Sequence, residues 1–281
     1  MDHKLDKTYL KNIFTIFSGT AISQLILILI SPLLTKIYGQ VNFGIYAQYS
    51  ALIAICSTFI SGRYELAILL PKERKEALTL VVIGSTITLI LSTLILIFVL
   101  IFEEIFLSYF FNTKKNPFPL FLIPIHVFFI GLYQCLNYWN NRLKKFQLLS
   151  KSRILQNTLT GIGQSAFSLV SKKNGLTFGV IFGQIISTVA LFYFFIKENK
   201  STILKITKRD IECSLKKYSD FPKFDIITGL LSMGANQLPN LLLPVFFSPH
   251  LGGFFYLSQR VLQTPISIIS GNKRCSVPPN F

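Results

Sequence analysis

The sequence predicts an all-α polytopic membrane protein of about eight transmembrane helices. They form a six-helix N-terminal bundle and the first two helices of a second, parallel-repeat bundle. Three observations lead there. Only 14% of the 281 residues are charged, where a soluble domain carries roughly 25%. Five stretches (12–34, 78–102, 118–140, 154–171 and 176–196) contain no Asp, Glu, Lys or Arg at all. About 20 such residues in a helix cross a hydrocarbon core of roughly 30 Å. The bases, finally, collect in alternate connections between apolar runs.

Eight spans follow in order: 12–34, 43–60, 78–102, 118–140, 154–171, 176–196, 224–247 and 251–270. Each stops at a turn or charge signal, such as Gly39-Gln40 after the first and Lys172-Lys173-Asn174-Gly175 after the fifth. One side of the membrane receives 22 Lys and Arg, eight of them in the long connection 197–223, which reads as a basic linker. The other side receives five: Lys36, Lys114, Lys115, Lys172 and Lys173. That asymmetry places both termini in the cytoplasm. The outward connections are short, so no extracytoplasmic domain is expected.

Several classes drop out. A net charge of +16 suggests nucleic acid in a soluble chain, but here topology accounts for the bases and no nucleic-acid partner is expected. Cys56, Cys135, Cys213 and Cys275 have no C-x-x-C spacing, so neither a disulfide framework nor a metal site is indicated. The first run is too long for a signal-peptide core. No Walker A, H-E-x-x-H or G-x-S-x-G string occurs, so neither an enzyme nor a cofactor is expected. Glu103-Glu104 reads as a solvated outer rim.

Gly161-Ile-Gly163-Gln-Ser-Ala166 matches a dinucleotide fingerprint only as a string. Inside an apolar span with no preceding strand it reads as helix packing. Gly179-Val-Ile-Phe-Gly183 is a small-xxx-small face that admits a close neighbour. His126, beside Pro124, is read as a hydrogen-bonded core residue or as a proton relay. Arg260 lies near the middle of the last span, where a lone Arg costs roughly 2.5–3.5 kcal/mol. It therefore binds an anion or pairs with Asp225 or Glu65. Gln24, Asn137, Asn236, Gln237 and Gln259 also interrupt apolar runs, as interhelical hydrogen bonds or as ligand contacts. Gln24, Gln237 and Gln259 are candidate substrate contacts. Arg63-Tyr-Glu65 ahead of an apolar run that stops at Pro71 reads as a snorkelling helix end or as a gate.

An internal repeat is present. Leu34, Tyr38, Gly44 and Tyr46 find echoes at Leu243, Phe247, Gly253 and Phe255, all at an offset of 209. A small-residue stretch ending in Gln24 resembles one ending in Gln237, with a four-residue insertion. Six spans separate the copies, so the repeat is parallel, with its axis along the membrane normal; transporters place substrate between such halves.

On Arg63–Pro71, Tyr218-Ser-Asp-Phe-Pro222 and Gly253-Phe-Phe-Tyr-Leu-Ser-Gln-Arg260 with Pro265, the chain resembles polysaccharide repeat-unit flippases. These belong to the multidrug/oligosaccharidyl-lipid/polysaccharide exporter superfamily. The resemblance implies two bundles around a cationic cavity in the bacterial cytoplasmic membrane. The implied cargo is an undecaprenyl-diphosphate-linked oligosaccharide, with Arg63, Glu65 and Arg260 contacting its diphosphate or glycan. An ion gradient is the expected driver, with Asp225, His126 or Glu65 coupling to it. The lipid-linked oligosaccharide, anionic membrane lipids and other polysaccharide-assembly proteins are the expected partners.

The family pattern calls for a second bundle that continues past the eighth span. The expected organisation is therefore a complete first bundle at 1–205, an incompletely packed start of a second at 206–270, and an aberrant non-membrane tail at 271–281. Little or no flipping by this chain alone is expected, with Arg260, Asn236 and Gln237 turned to lipid or packed wrongly on the first bundle. A membrane-embedded glycan polymerase or ligase, and a drug or cation exporter of the same superfamily, stand as alternatives.

Overall fold

The computed structural model describes residues 2–103 and 118–270, and among these no strand occurs. The first helix, α1 (Asp2–Phe59), has 58 residues. As one straight rod it would be roughly 87 Å long, far beyond a membrane core of about 30 Å. It breaks at Gly39, whose φ of 71° and ψ of 167° suit glycine alone. Two limbs result, 2–38 and 40–59, where the sequence places the first two spans.

After the single turn α2 (Tyr64–Ala67) come α3 (Arg74–Ile101), α4 (Phe118–Arg142), α5 (Phe146–Phe167) and α6 (Gly175–Ile203). A short α7 (Lys208–Lys217) and a π-helical turn (Phe221–Asp225) lead to α8 (Ile226–Phe246) and α9 (Pro249–Ser270). Ala21–Phe59, Arg74–Ile101, Leu120–Arg142 and Gly175–Ile203 are long and apolar enough to cross a membrane on length and composition alone. α5, α8 and α9 are of similar length but carry more polar residues, among them Lys151, Asn236 and Arg260.

Successive spans alternate in direction. Ser23 and Tyr38 of the first limb meet Asn157 and Gln164 of α5 in the same order, so those two helices run parallel. Tyr49 of the second limb and Ile60, just past its end, likewise meet His126 and Gly131 of α4. α5 and α6 run antiparallel and nearly touch: a β-carbon at Gly163 would lie 3.0 Å from the Cα of Gly179. The Gly-x-Gly string is thus a helix-packing device, as its apolar context indicates.

The core has two layers. Leu34, Tyr38, Phe43, Tyr49, Leu120 and Leu176 form one near the Gly39 end of the spans. Tyr64, Leu78, Leu80, Cys135, Trp139 and Phe195 form the other at the opposite end.

The connection 197–223 corrects the expectation of a mere basic linker. α6 continues to Ile203, and α7 follows behind a capping box between Thr207 and Asp210. Lys75 reaches Asp210 at 2.7 Å, while Glu76 receives Lys217 at 2.6 Å and the Tyr218 hydroxyl at 3.1 Å. Bonds from Lys75 and then Thr207 hold the Asp210 carboxyl down at about 2. The run of bases hid the helix, because on one face Asp210, Lys217 and Tyr218 dock it to the start of α3.

The repeat is visible in three dimensions. The turn between α8 and α9 falls at 247–248, which is Gly39 displaced by the same 209 residues. Gly44 sits against the carbonyl of Pro249, and Gly253 against the carbonyl of Gln40. Pro249 is itself Gln40 displaced by 209, so the contact is reciprocal, as a two-fold axis between two copies requires. The expected tail at 271–281, and the outer rim at Glu104, Lys114 and Lys115, lie outside the described residues.

Candidate functional site

At the C-terminal end of the second limb the chain reverses sharply. Gly62 and Arg63 both adopt left-handed conformations, at φ 62° and 61°. That is strained for Arg, and its surroundings hold it. The Gly62 N–H donates to Phe59 at 2.8 Å and the Leu66 N–H to the Arg63 carbonyl at 3.1 Å. The reversal tucks α2 back into the bundle and buries Tyr64, Glu65 and Ala67.

Glu65 is 3% exposed, accepts a bond from the Ser61 hydroxyl, and lies 3.8 Å from the Arg63 guanidinium. Burial pushes its carboxyl above the usual carboxylate range, opposed by Ser61 and then by Arg63. Arg63 also donates through Nε to the Asp225 carbonyl at 3.3 Å. Its guanidinium lies across Gly229 of α8, where any side chain would collide with it. Three predicted site residues, Arg63, Glu65 and Asp225, therefore meet at one place. The basic partner of Glu65 is Arg63, two residues away.

Arg142, at the end of α4, is a residue that sequence reasoning missed. Its guanidinium donates to the carbonyls of Ile68, Leu69, Lys72 and Glu73 at 3.2 to 3.4 Å. It clamps the segment that follows α2 and ends in α3. Its forked donors suit several carbonyls at once, as a lysine's do not.

A second group lies at mid-depth. Arg260 is roughly 16 Å along α9 from Pro249, and its guanidinium donates to the Leu27 carbonyl of the first limb at 3.4 Å. Gln24, half-buried, precedes Leu27 by about one helical turn on the same limb. Asn240 Nδ2 donates to Gln237 Oε1 at 2.9 Å and to Gln259 Oε1 at 2.8 Å, binding α8 to α9. Of the two arrangements expected, turned to lipid or packed on the first bundle, Arg260 packs on the first limb, and Gln237 accepts from a neighbouring amide. Asn236 is exposed and bonds back to Ser232 of its own helix at 2.9 Å. Asn240 was not singled out in the sequence, although the i, i+3 spacing with Gln237 was its available signal.

His126 stands apart. Its Nδ1 is 2.9 Å from the Tyr49 hydroxyl, and the two rings stack at 5.8 Å. Tyr49 continues through Tyr46 to Tyr256 of α9, an aromatic chain from α4 across the second limb. Among the described residues, no group of three or more His, Cys, Asp or Glu could hold a metal ion.

These features define a polytopic helical membrane protein built on a two-fold repeat of broken hairpins. The same architecture is found in the crystal structure of a point mutant of a MATE protein, at a TM-score of 0.56 and 15% identity. The match covers 94% of this chain and 63% of that one, so the chain spans less than two thirds of that protein's length. No curated protein matches. The chain belongs to the family of polysaccharide biosynthesis proteins, whose pattern covers residues 41–274. The family expected from the motifs is thereby met.

Proposed function

We propose that this protein moves a lipid-linked, diphosphate-bearing oligosaccharide across the bacterial cytoplasmic membrane, with both termini in the cytoplasm. The observation that carries this reading is the placement of two arginines. Arg63 reaches from the first set of helices to Asp225 and Gly229 at the start of α8, and Arg260 reaches from α9 to Leu27 of α1. Both cations lie on the seam between the repeat's two hairpins, where transporters of parallel design hold their substrates. Each offers a planar fork that fits phosphate oxygens in a bidentate manner. The spacing along the helices separates them by roughly 18 Å in depth, so a diphosphate meets one cation at the inner end and the next halfway across. Membership of a polysaccharide biosynthesis family and a MATE-like fold support the same reading. Asp225 and His126 are the proposed ion-coupling groups.

The test is reconstitution of residues 1–281 in proteoliposomes with a fluorescent undecaprenyl-diphosphate oligosaccharide, scored by accessibility of the glycan to a membrane-impermeant lectin; flipping by the wild type is itself the result that overturns the expectation of little or no flipping by this chain alone. R63Q and R260Q together should slow flipping at least about tenfold, the equivalent of one lost charge-assisted hydrogen bond. Wild-type flipping by the double variant would overturn the assignment of the two arginines.

A further inference from the structure

The amide cluster between α8 and α9 has an unfinished hydrogen-bond account. Asn240 is 2% exposed, and both its amide hydrogens are used, one on Gln237 and one on Gln259. Its Oδ1 is buried and has no partner among the described residues. A buried acceptor left in that state costs roughly 1–3 kcal/mol. Amide oxygen and nitrogen exchange places on flipping. With Asn240 flipped and both glutamines donating, its amide hydrogens would be the group left over. Whichever way the three amides settle, one end of Asn240 stays unmatched.

The repeat shows that this is not required by the architecture. Displaced by 209, Asn240 corresponds to Ser31 and Gln259 to Ser50. Those hydroxyls close locally on their own helix, Ser31 on Leu27 at 2.6 Å and Ser50 on Ala47 at 2.9 Å. At these two positions the first copy carries short, self-satisfied hydroxyls where the second carries long amides, and only Gln237 has an amide counterpart, Gln24.

We propose that Gln237, Asn240 and Gln259 form a saccharide subsite that receives a sugar hydroxyl. A hydroxyl donates and accepts, so it completes Asn240 in either amide orientation. A bare cation would match only the oxygen and would sit near the positive charge of Arg260. Gln237 and Gln259 are half-buried and Asn240, bonded to both, is buried, so the two glutamines are the exposed members of the group. Gln259 turns to α8 and Arg260, the next residue, to Leu27 of the first limb, so the first sugar and the diphosphate of one cargo are held on adjoining faces of α9. This inference rests on the transport reading and refines it.

The experiment separates the two. The full chain in lipid nanodiscs is titrated with the free oligosaccharide, lacking lipid and diphosphate, by saturation-transfer NMR, and flipping is measured in parallel. N240L and Q259L should each weaken glycan binding at least about tenfold. N240L removes an unsatisfied group and should fold; should it not, Q259L supplies the same reading. Absence of glycan binding by the wild type, or wild-type affinity in both amide variants, would overturn the subsite and leave the flipping assay to judge transport. Glycan binding lost in the amide variants from a wild type that flips nothing would uphold the subsite and remove the transport reading.

Discussion

Gly44 lies against the carbonyl oxygen of Pro249 so closely that a β-carbon on it would collide, and Gly253 lies against that of Gln40 in the same way. The pair forms an isologous contact between two hairpins of one chain. It brings the N-terminal ends of the second limb and α9 within backbone reach, with Tyr46 and Tyr256 edge-to-face at 5.6 Å beside them.

Neither glycine tolerates a methyl group where it stands. G44A and G253A should each destabilise the protein by about 1–3 kcal/mol, the usual cost of overpacking. Because they press on the same contact, the double variant should cost less than the sum of the two. Thermal unfolding in detergent reads both, and full additivity would mean that the two contacts are independent.

Glu65 gives the protein a pH dependence of predictable sign. Burial raises its carboxyl above the unfolded value, so the folded chain holds that proton more tightly than the unfolded chain does. The stabilisation is complete below the unfolded carboxylate value and is lost as pH rises through the raised one. E65Q, always neutral, should remove that slope while keeping the bond to Ser61. Melting curves of the two proteins from pH 4 to pH 8 should diverge towards the alkaline end, and parallel curves would refute the assignment.

Arg142 should matter through geometry rather than charge. R142K retains the cation but cannot span the carbonyls of Ile68, Leu69, Lys72 and Glu73 together. Faster amide hydrogen exchange is expected across 64–73 in R142K, nearly as fast as in R142A. Exchange in R142K equal to the wild type would show that charge alone holds the segment.

The α5–α6 seam should be intolerant of bulk. A β-carbon at Gly179 would overlap the backbone of Gln164, which has no freedom to move within its helix. G179V is expected to lower the melting temperature well beyond V180A, at the adjacent, less crowded position, and equal shifts would contradict that packing.

The spans, the break at Gly39, the turn at Lys172–Gly175 and the repeat offset of 209 were all legible along the chain. Each depends on a local rule: bilayer hydrocarbon excludes charge over about 20 consecutive residues, and a reversal needs glycine or polar residues at one place. The family, too, was readable from short motifs. What the sequence could not reveal depends on partners far apart in it. Arg63 meets Asp225 across 162 positions, Arg142 meets Ile68 across 74, and Arg260 finds Leu27 across 233. α7 escaped notice because its fifteen or so ångströms carry bases that read as a solvated linker, while Asp210 and Lys217 dock it on Lys75 and Glu76 of α3. Asn240 is a single amide in an apolar run, and only the packing of α8 on α9 placed it between two glutamines with one atom unpaired. Helix formation in a membrane is set by composition, because every backbone group must be satisfied within its own segment. Which polar side chains then meet is set by how the helices pack, and that was decided only in the tertiary structure.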